Sequence, residues 1–207
     1  MSGRPEYWLR AKRTLARRDP VLAGIMRARP RIALQSRGDP FQTLARSIVG
    51  QQISVKAAQS VWNRFACAVP VVAPDAVAAL RLRRLRACGL SGRKSEYLRG
   101  LARGFVDGTI QVERWPEMDD EAVIAELVRV RGIGRWTAEM LLMFSLLRPN
   151  VLPVDDLGLR KATSRHYFDG EEVGAAELRE FGARWEPWRS VATWYLWRSL
   201  EPVPVAY

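Results

Sequence analysis

Histidine and cysteine are nearly absent from this chain, with one His and two Cys among 207 residues. With His166 alone, a histidine metal cluster cannot form, and a Ser-His or Cys-His nucleophile away from that residue is excluded. Cys67 and Cys88 are too few to hold an iron–sulfur cluster by themselves or to staple a secreted scaffold, and both read as buried, reduced thiols. Long apolar runs are missing too, so no membrane span and no membrane partner is expected. The start, Met1-Ser2-Gly3-Arg4-Pro5-Glu6, lacks the apolar stretch of a secretory signal, which points to the cytoplasm. Any enzyme made from this chain must rely on a carboxylate.

Positive charge is plentiful. Lys and Arg number 33 against 22 Asp and Glu, giving +11 and a pI near 10.6, a balance that suits a polyanion as well as simple solvation. Apolar residues recur at helical spacing, and no convincing period-two alternation is found. Helices are predicted over Tyr7–Arg17, along the Phe41, Leu44, Ala45, Ile48, Val49 stripe, from Ser54 through Phe65, and from Arg93 to Phe105. Others are predicted from Met118-Asp119-Asp120 to Val130, Thr137–Leu147, Asp156 to Phe168, Ala175–Trp185, and from Pro187 as first helical residue to Leu200. Two shorter ones are expected after Pro74-Asp75 and before Cys88-Gly89. The tail Glu201-Pro202-Val203-Pro204 cannot continue a helix. The fold class is all-α with short connections.

Between two of these helices stands Leu127-Val128-Arg129-Val130-Arg131-Gly132-Ile133-Gly134-Arg135-Trp136-Thr137-Ala138. The glycines permit positive φ and close approach, while free N–H groups at the following helix start favour an anion. Ile133 can tuck between the helices and leave the glycine amides exposed. A plain glycine C-cap between antiparallel helices is the simpler alternative for Gly132 and Gly134 alone. About twenty residues on comes Pro153-Val154-Asp155-Asp156-Leu157-Gly158, which sets a carboxylate at a helix start, where dipole and amides keep it ionised. A simple N-cap reading is compatible with this. Gly50-Gln51-Gln52-Ile53-Ser54 forms a further corner, with Ser54 as N-cap.

The hairpin string resembles the helix-hairpin-helix of the DNA glycosylase superfamily that carries a Gly/Pro-rich loop and a catalytic aspartate. Ile48-Val49-Gly50-Gln51-Gln52-Ile53-Ser54-Val55-Lys56-Ala57-Ala58 and Arg184-Trp185-Glu186-Pro187-Trp188-Arg189-Ser190 sharpen the match to type II 3-methyladenine (alkylpurine) DNA glycosylases. The resemblance runs from roughly Phe41 to Leu200. It implies one glycosylase core over 1–207, without the small sheet-containing domain of some members. It also implies two helical lobes, one of about 41–147 including the hairpin 121–147, the other of about 5–40 and 148–207, with an interlobe cleft into which Asp156 looks.

The resemblance makes Asp156 the catalytic residue, with Asp155 as its rival, and Trp136 and Trp197 the best base-pocket residues. The expected DNA contacts are Gln51, Gln52, Ile53, Ser54, Gly132, Ile133, Gly134, Arg135, Thr137, Lys161 and Arg189, with either Gln52 or Ile53 as the intercalating wedge. The core chemistry needs no cofactor, although such hairpins often hold a monovalent cation through backbone carbonyls, here those of Val130 and Ile133. Some relatives use a lysine two residues after the second hairpin glycine for a Schiff base; that position is Trp136, so hydrolysis without strand cleavage is expected. Lys56, Lys94 and Lys161 remain possible amines. Trp62 and Trp115 are assigned to the core, and His166 to a surface or capping place.

The function this implies is excision of alkylated purines from double-stranded DNA in base excision repair, by a monomer that reaches the nucleoid through DNA. Two rivals stand beside it. One is a non-catalytic module that grips backbone through the hairpin; the other is an oxidised-base glycosylase with lyase activity.

Overall fold

The computed structural model describes residues 4–30 and 32–200. Within them lie twelve α-helices and two short 3-10 helices, with no strand, in agreement with the all-α expectation. The residues Met1-Ser2-Gly3 and the tail Glu201-Pro202-Val203-Pro204, both read from sequence above, fall outside the described residues. The chain forms two compact units, one from Met1–Ser36 with Leu142–Tyr207 and the other from Arg37–Leu141.

The first unit holds α1 (Trp8–Arg18), α2 (Pro20–Ala28), α10 (Leu157–Tyr167), α11 (Ala175–Gly182) and α12 (Arg189–Leu200). Helix α2 was not anticipated. Asp19-Pro20 ends α1 but also starts a new helix, because Asp19 accepts the Leu22 N–H at 3.0 Å while Pro20 supplies a pre-set φ. The buried Asp19 carboxylate also accepts the Tyr167 hydroxyl at 2.8 Å and the Trp185 indole N–H at 3.0 Å. Burial, followed by the Asp19 charge, raises the Tyr167 phenol well above its ordinary range. Trp8 stacks on Tyr195, and both are fully covered. Trp185 is therefore placed by its hydrogen bond to Asp19.

The C-terminal boundaries differ from the sequence reading. A 3-10 turn over Ala183–Trp185 follows α11, and Pro187 stands outside α12, which begins at Arg189. Pro187 lies in the turn before the helix, and the Glu186–Pro187 bond is cis.

The second unit contains α3 (Pro40–Gly50), α4 (Val55–Cys67), α5 (Pro74–Ala78), α6 (Leu82–Ala87), α7 (Gly92–Val106) and α8 (Asp120–Val128). It also contains most of α9 (Arg135–Phe144), the second helix of the hairpin. Side-chain caps set the starts of four of them: Asp39 for α3, Ser54 for α4, Ser91 for α7 and Asp119 for α8. Helix α7 packs against α3, α5 and α6. Phe105 meets Phe41 and Trp115 edge-on. Trp115 lies on an unanticipated 3-10 helix, Val112–Glu117, and donates its indole N–H to Glu126 at 2.8 Å. Trp62 and Trp115 are core residues, as expected. Cys88 is buried, but Cys67 is exposed at the end of α4, contrary to the reading of both as interior thiols.

Candidate active site and nucleic-acid-binding corner

The hairpin corner between α8 and α9 is built around glycine. Gly132 has φ +90°, and a Cβ there would run into the Tyr97 ring on α7, so a side chain is barred by both conformation and space. The Val130 N–H donates to Leu127 at 3.0 Å, and the Ile133 N–H donates to Val130 at 3.0 Å. Ile133 is buried and Gly134 exposed, matching the expected inward isoleucine, but the Ile133 amide is spent inside the corner. The Val130 carbonyl keeps a second lone pair, the oxygen chemistry a monovalent cation would take. Both hairpin helices are shorter than the sequence implied, ending at Val128 and Phe144.

A second corner joins α3 to α4 and is tied to the first. Gln51 donates its side-chain amide to the Gly132 carbonyl at 2.8 Å. The Lys94 ammonium donates to the carbonyls of Val49 at 2.9 Å and Gln51 at 2.6 Å. Desolvation lowers the Lys94 pKa, and its amine is committed to this turn. Gln52 adopts φ +57°, a costly left-handed backbone for a residue other than glycine. Gln52, Ile53 and Ser54 are all exposed, and Ser54 accepts the Ala57 N–H at 3.3 Å. Gln51, expected to touch DNA, forms a strut between the corners.

Three further expected contacts are engaged within the protein. Arg135 makes a two-pronged ion pair with Glu121 and a second with Glu139 at 3.0 Å. The Glu121 bond raises the Arg135 pKa still further above its ordinary value. Arg189 donates to the Asn150 main-chain and side-chain oxygens at 3.1 and 3.0 Å, and pairs with Glu186 at 2.9 Å. Thr137 is buried. Lys161 and Lys56 remain exposed. His166 is half-buried and pairs with Ser199 Oγ at 2.8 Å, so it is more enclosed than a surface residue; that burial, then the neighbouring Arg165 charge, lowers its pKa.

Asp156 is the N-cap of α10. Its Oδ1 accepts the Leu159 N–H at 2.6 Å and the Trp197 indole N–H at 2.7 Å. Trp197, on α12, stacks on Phe144 with ring centroids 6.0 Å apart and planes 12° from parallel. Gly158 closes the space beneath: a Cβ there would lie 3.1 Å from Asp156 Oδ1 and 3.3 Å from the Trp197 ring. The carboxylate is half-buried and held by these two hydrogen bonds, whereas neighbouring Asp155 is exposed. Trp136 is 40% exposed at the start of α9, and Leu157, next to Asp156, is 76% exposed. The Trp197–Asp156 bond has no signature in sequence spacing, since 41 residues separate the partners.

An all-helical protein with a glycine hairpin and a fixed aspartate at a helix start is thus defined. It belongs to the HhH-GPD superfamily of base excision DNA repair proteins, whose pattern matches residues 45–188. The YfjP protein of Bacillus subtilis is 33% identical over 169 residues, covering 78% of this chain and 59% of that relative, so the chain spans about three fifths of it. The crystal structure of the Bacillus halodurans DNA-3-methyladenine glycosidase superposes with a TM-score of 0.84 at 32% identity, covering 98% of this chain and 92% of that one. The 3-methyladenine DNA glycosylase Mag1 of Schizosaccharomyces pombe, solved in complex with abasic DNA, gives 0.81 at 30% identity, covering 92% and 96%.

Proposed function

We propose that this chain is a monofunctional DNA glycosylase that removes alkylated purines from duplex DNA by hydrolysing the N-glycosidic bond. The observation that carries the reading is the Asp156 carboxylate, clamped by the α10 N-terminus and the Trp197 indole. Similarity to proteins named for 3-methyladenine excision supports the substrate class.

Loss of the base leaves oxocarbenium-like charge on the deoxyribose. An anion about 4 Å away is worth roughly 1 kcal/mol in water and about 4 kcal/mol at an effective dielectric near 20. A carboxylate fixed in advance gives that stabilisation without reorganising during the reaction. An alkylated purine already carries positive charge, so its departure needs no general acid. The half-buried His166, engaged with Ser199, is not required. Reaching the bond requires the nucleotide to be turned out of the duplex. The exposed Gln52 and Ile53, held up by the strained α3–α4 corner, are suited to fill the gap, and Trp136 is exposed enough to meet a base. Trp136 also occupies the position where lyase relatives carry lysine, and Lys94 is locked to two carbonyls, which supports hydrolysis over Schiff-base chemistry. The enzyme acts on double-stranded DNA as a monomer in this reading.

Asp156→Asn keeps the cap and the indole acceptor while removing the charge. Single-turnover excision from methylated duplex should fall about a thousandfold, the rate equivalent of roughly 4 kcal/mol, with DNA affinity retained. Undiminished turnover would discard Asp156 as the catalyst, whereas a parent chain that binds DNA but excises nothing would leave the non-catalytic DNA-binding reading in its place.

A further inference from the structure

A cavity bounded within the first unit shares no residue with the Asp156 arrangement. It measures about 720 Å³ and is lined by Arg10, Arg13, Thr14, Arg17 and Arg18 of α1 together with Pro187 and Trp188. No Asp or Glu lines it. Two acids adjoin the lining in sequence: Asp19, whose buried carboxylate is taken by Leu22, Tyr167 and Trp185, and Glu186, whose carboxylate is on Arg189 and whose carbonyl accepts Arg18 at 3.1 Å. Helix α1 buries Trp8, Ala11 and Leu15, and this fixes Arg10, Arg13 and Arg17 on the opposite, exposed face. Trp188 is held in place by stacking on Tyr7 at 5.7 Å, with the Arg10 guanidinium 6.0 Å from its ring.

Four guanidiniums around one acid-free cavity repel each other unless an anion is shared between them. Planar guanidinium forks suit phosphate oxygens. From Arg10 to Arg17 the helix rises roughly 10 Å at 1.5 Å per residue. Three successive phosphates of a DNA strand span two steps of 3.4 Å axial rise, about 7 Å, so arginines spread over this length of helix can each meet a different phosphate. We propose that this cavity is a second DNA-backbone site, in which Arg10, Arg13 and Arg17 hold successive phosphates of one strand beside Trp188. The proposal rests on the DNA-repair reading but not on which base is removed. It assigns to α1 a sequence-independent grip that adds to the hairpin.

The test measures binding of undamaged duplex DNA by fluorescence anisotropy across a salt series, so that no turnover enters. Arg10→Ala/Arg13→Ala/Arg17→Ala should flatten the slope of log K against log salt by about 2.7, at about 0.9 per phosphate, and weaken binding at low salt. The lysine triple variant should keep most of the slope, because charge remains while the fork is lost. Each single alanine variant should remove about 0.9, which keeps the test intact if the triple variant folds poorly. An unchanged slope in the alanine variants overturns the proposal, including the case in which the arginines serve an acidic protein surface. Failure of the parent to excise any lesion would instead count against the glycosylase reading and leave the backbone site standing.

Discussion

The Trp197 indole N–H donates to Asp156 Oδ1 at 2.7 Å, tying the last helix of the chain to the start of α10. The same oxygen accepts the Leu159 N–H, so the carboxylate cannot rotate without losing two bonds. Trp197 is in turn immobilised on Phe144. The indole bond thus holds the carboxylate in one orientation.

Trp197→Phe should separate this role from the base stacking expected of Trp197. The ring stack on Phe144 survives while the donor is lost, and a hydrogen bond to a charged group contributes about 1.5–3 kcal/mol. Single-turnover kcat should drop about ten- to a hundredfold, with KM and melting temperature little changed. A rise in KM alone would mean the ring contacts substrate instead.

Gly158→Ala places a methyl 3.1 Å from Asp156 Oδ1 and 3.3 Å from Trp197, inside ordinary contact distance of both. Relief requires one of the hydrogen-bonded partners to move. Excision should slow about tenfold or more, because sub-ångström misplacement of a reacting group is costly. Thermal melting and excision rate measured on the same preparation distinguish this from plain destabilisation.

Gly132→Ala meets the Tyr97 ring and a φ of +90° at once. A loss of about 2 kcal/mol or more in stability is expected, within the range for strained backbone positions. Urea titration reads it directly. Tyr97→Ala in the same chain should recover the steric part and leave the conformational part.

His166 gives a pH test, since it is the single histidine of the chain. Burial first, then the Arg165 charge, lowers its pKa below the ordinary 6.5. Between that lowered value and 6.5 the unfolded chain binds the proton more readily than the folded one. Stability from this group is therefore full above pH 6.5, declines as pH falls through the window, and levels off beneath the folded pKa. His166→Gln should remove this component of the melting-temperature profile. A variant profile parallel to the parent's throughout that range would contradict the assignment.

Much of the site was legible because its signals are local. An aspartate before a helix, two glycines at a corner and an apolar residue between them act within a few residues, where caps and positive φ are decided. Asp156 and Ile133 stand where the pattern placed them. Helix α2 was missed because Asp19-Pro20 reads equally as a stop or a start, and only the Leu22 N–H chooses. The start of α12 was misread for a similar reason: proline suits a first helical position, but here it lies in the turn two residues earlier.

The sequence by itself determined the helical class, the basic character, the corner glycines and the capping carboxylate, since each depends on residue type and short spacing. Tertiary structure alone decided which polar groups are already taken. Arg135 went to Glu121, Arg189 to Asn150, Gln51 to Gly132, Lys94 to two carbonyls and Trp197 to Asp156. Side-chain reach is several ångströms in any direction, so partners distant along the chain are chosen by packing, and no periodicity in the sequence records that choice.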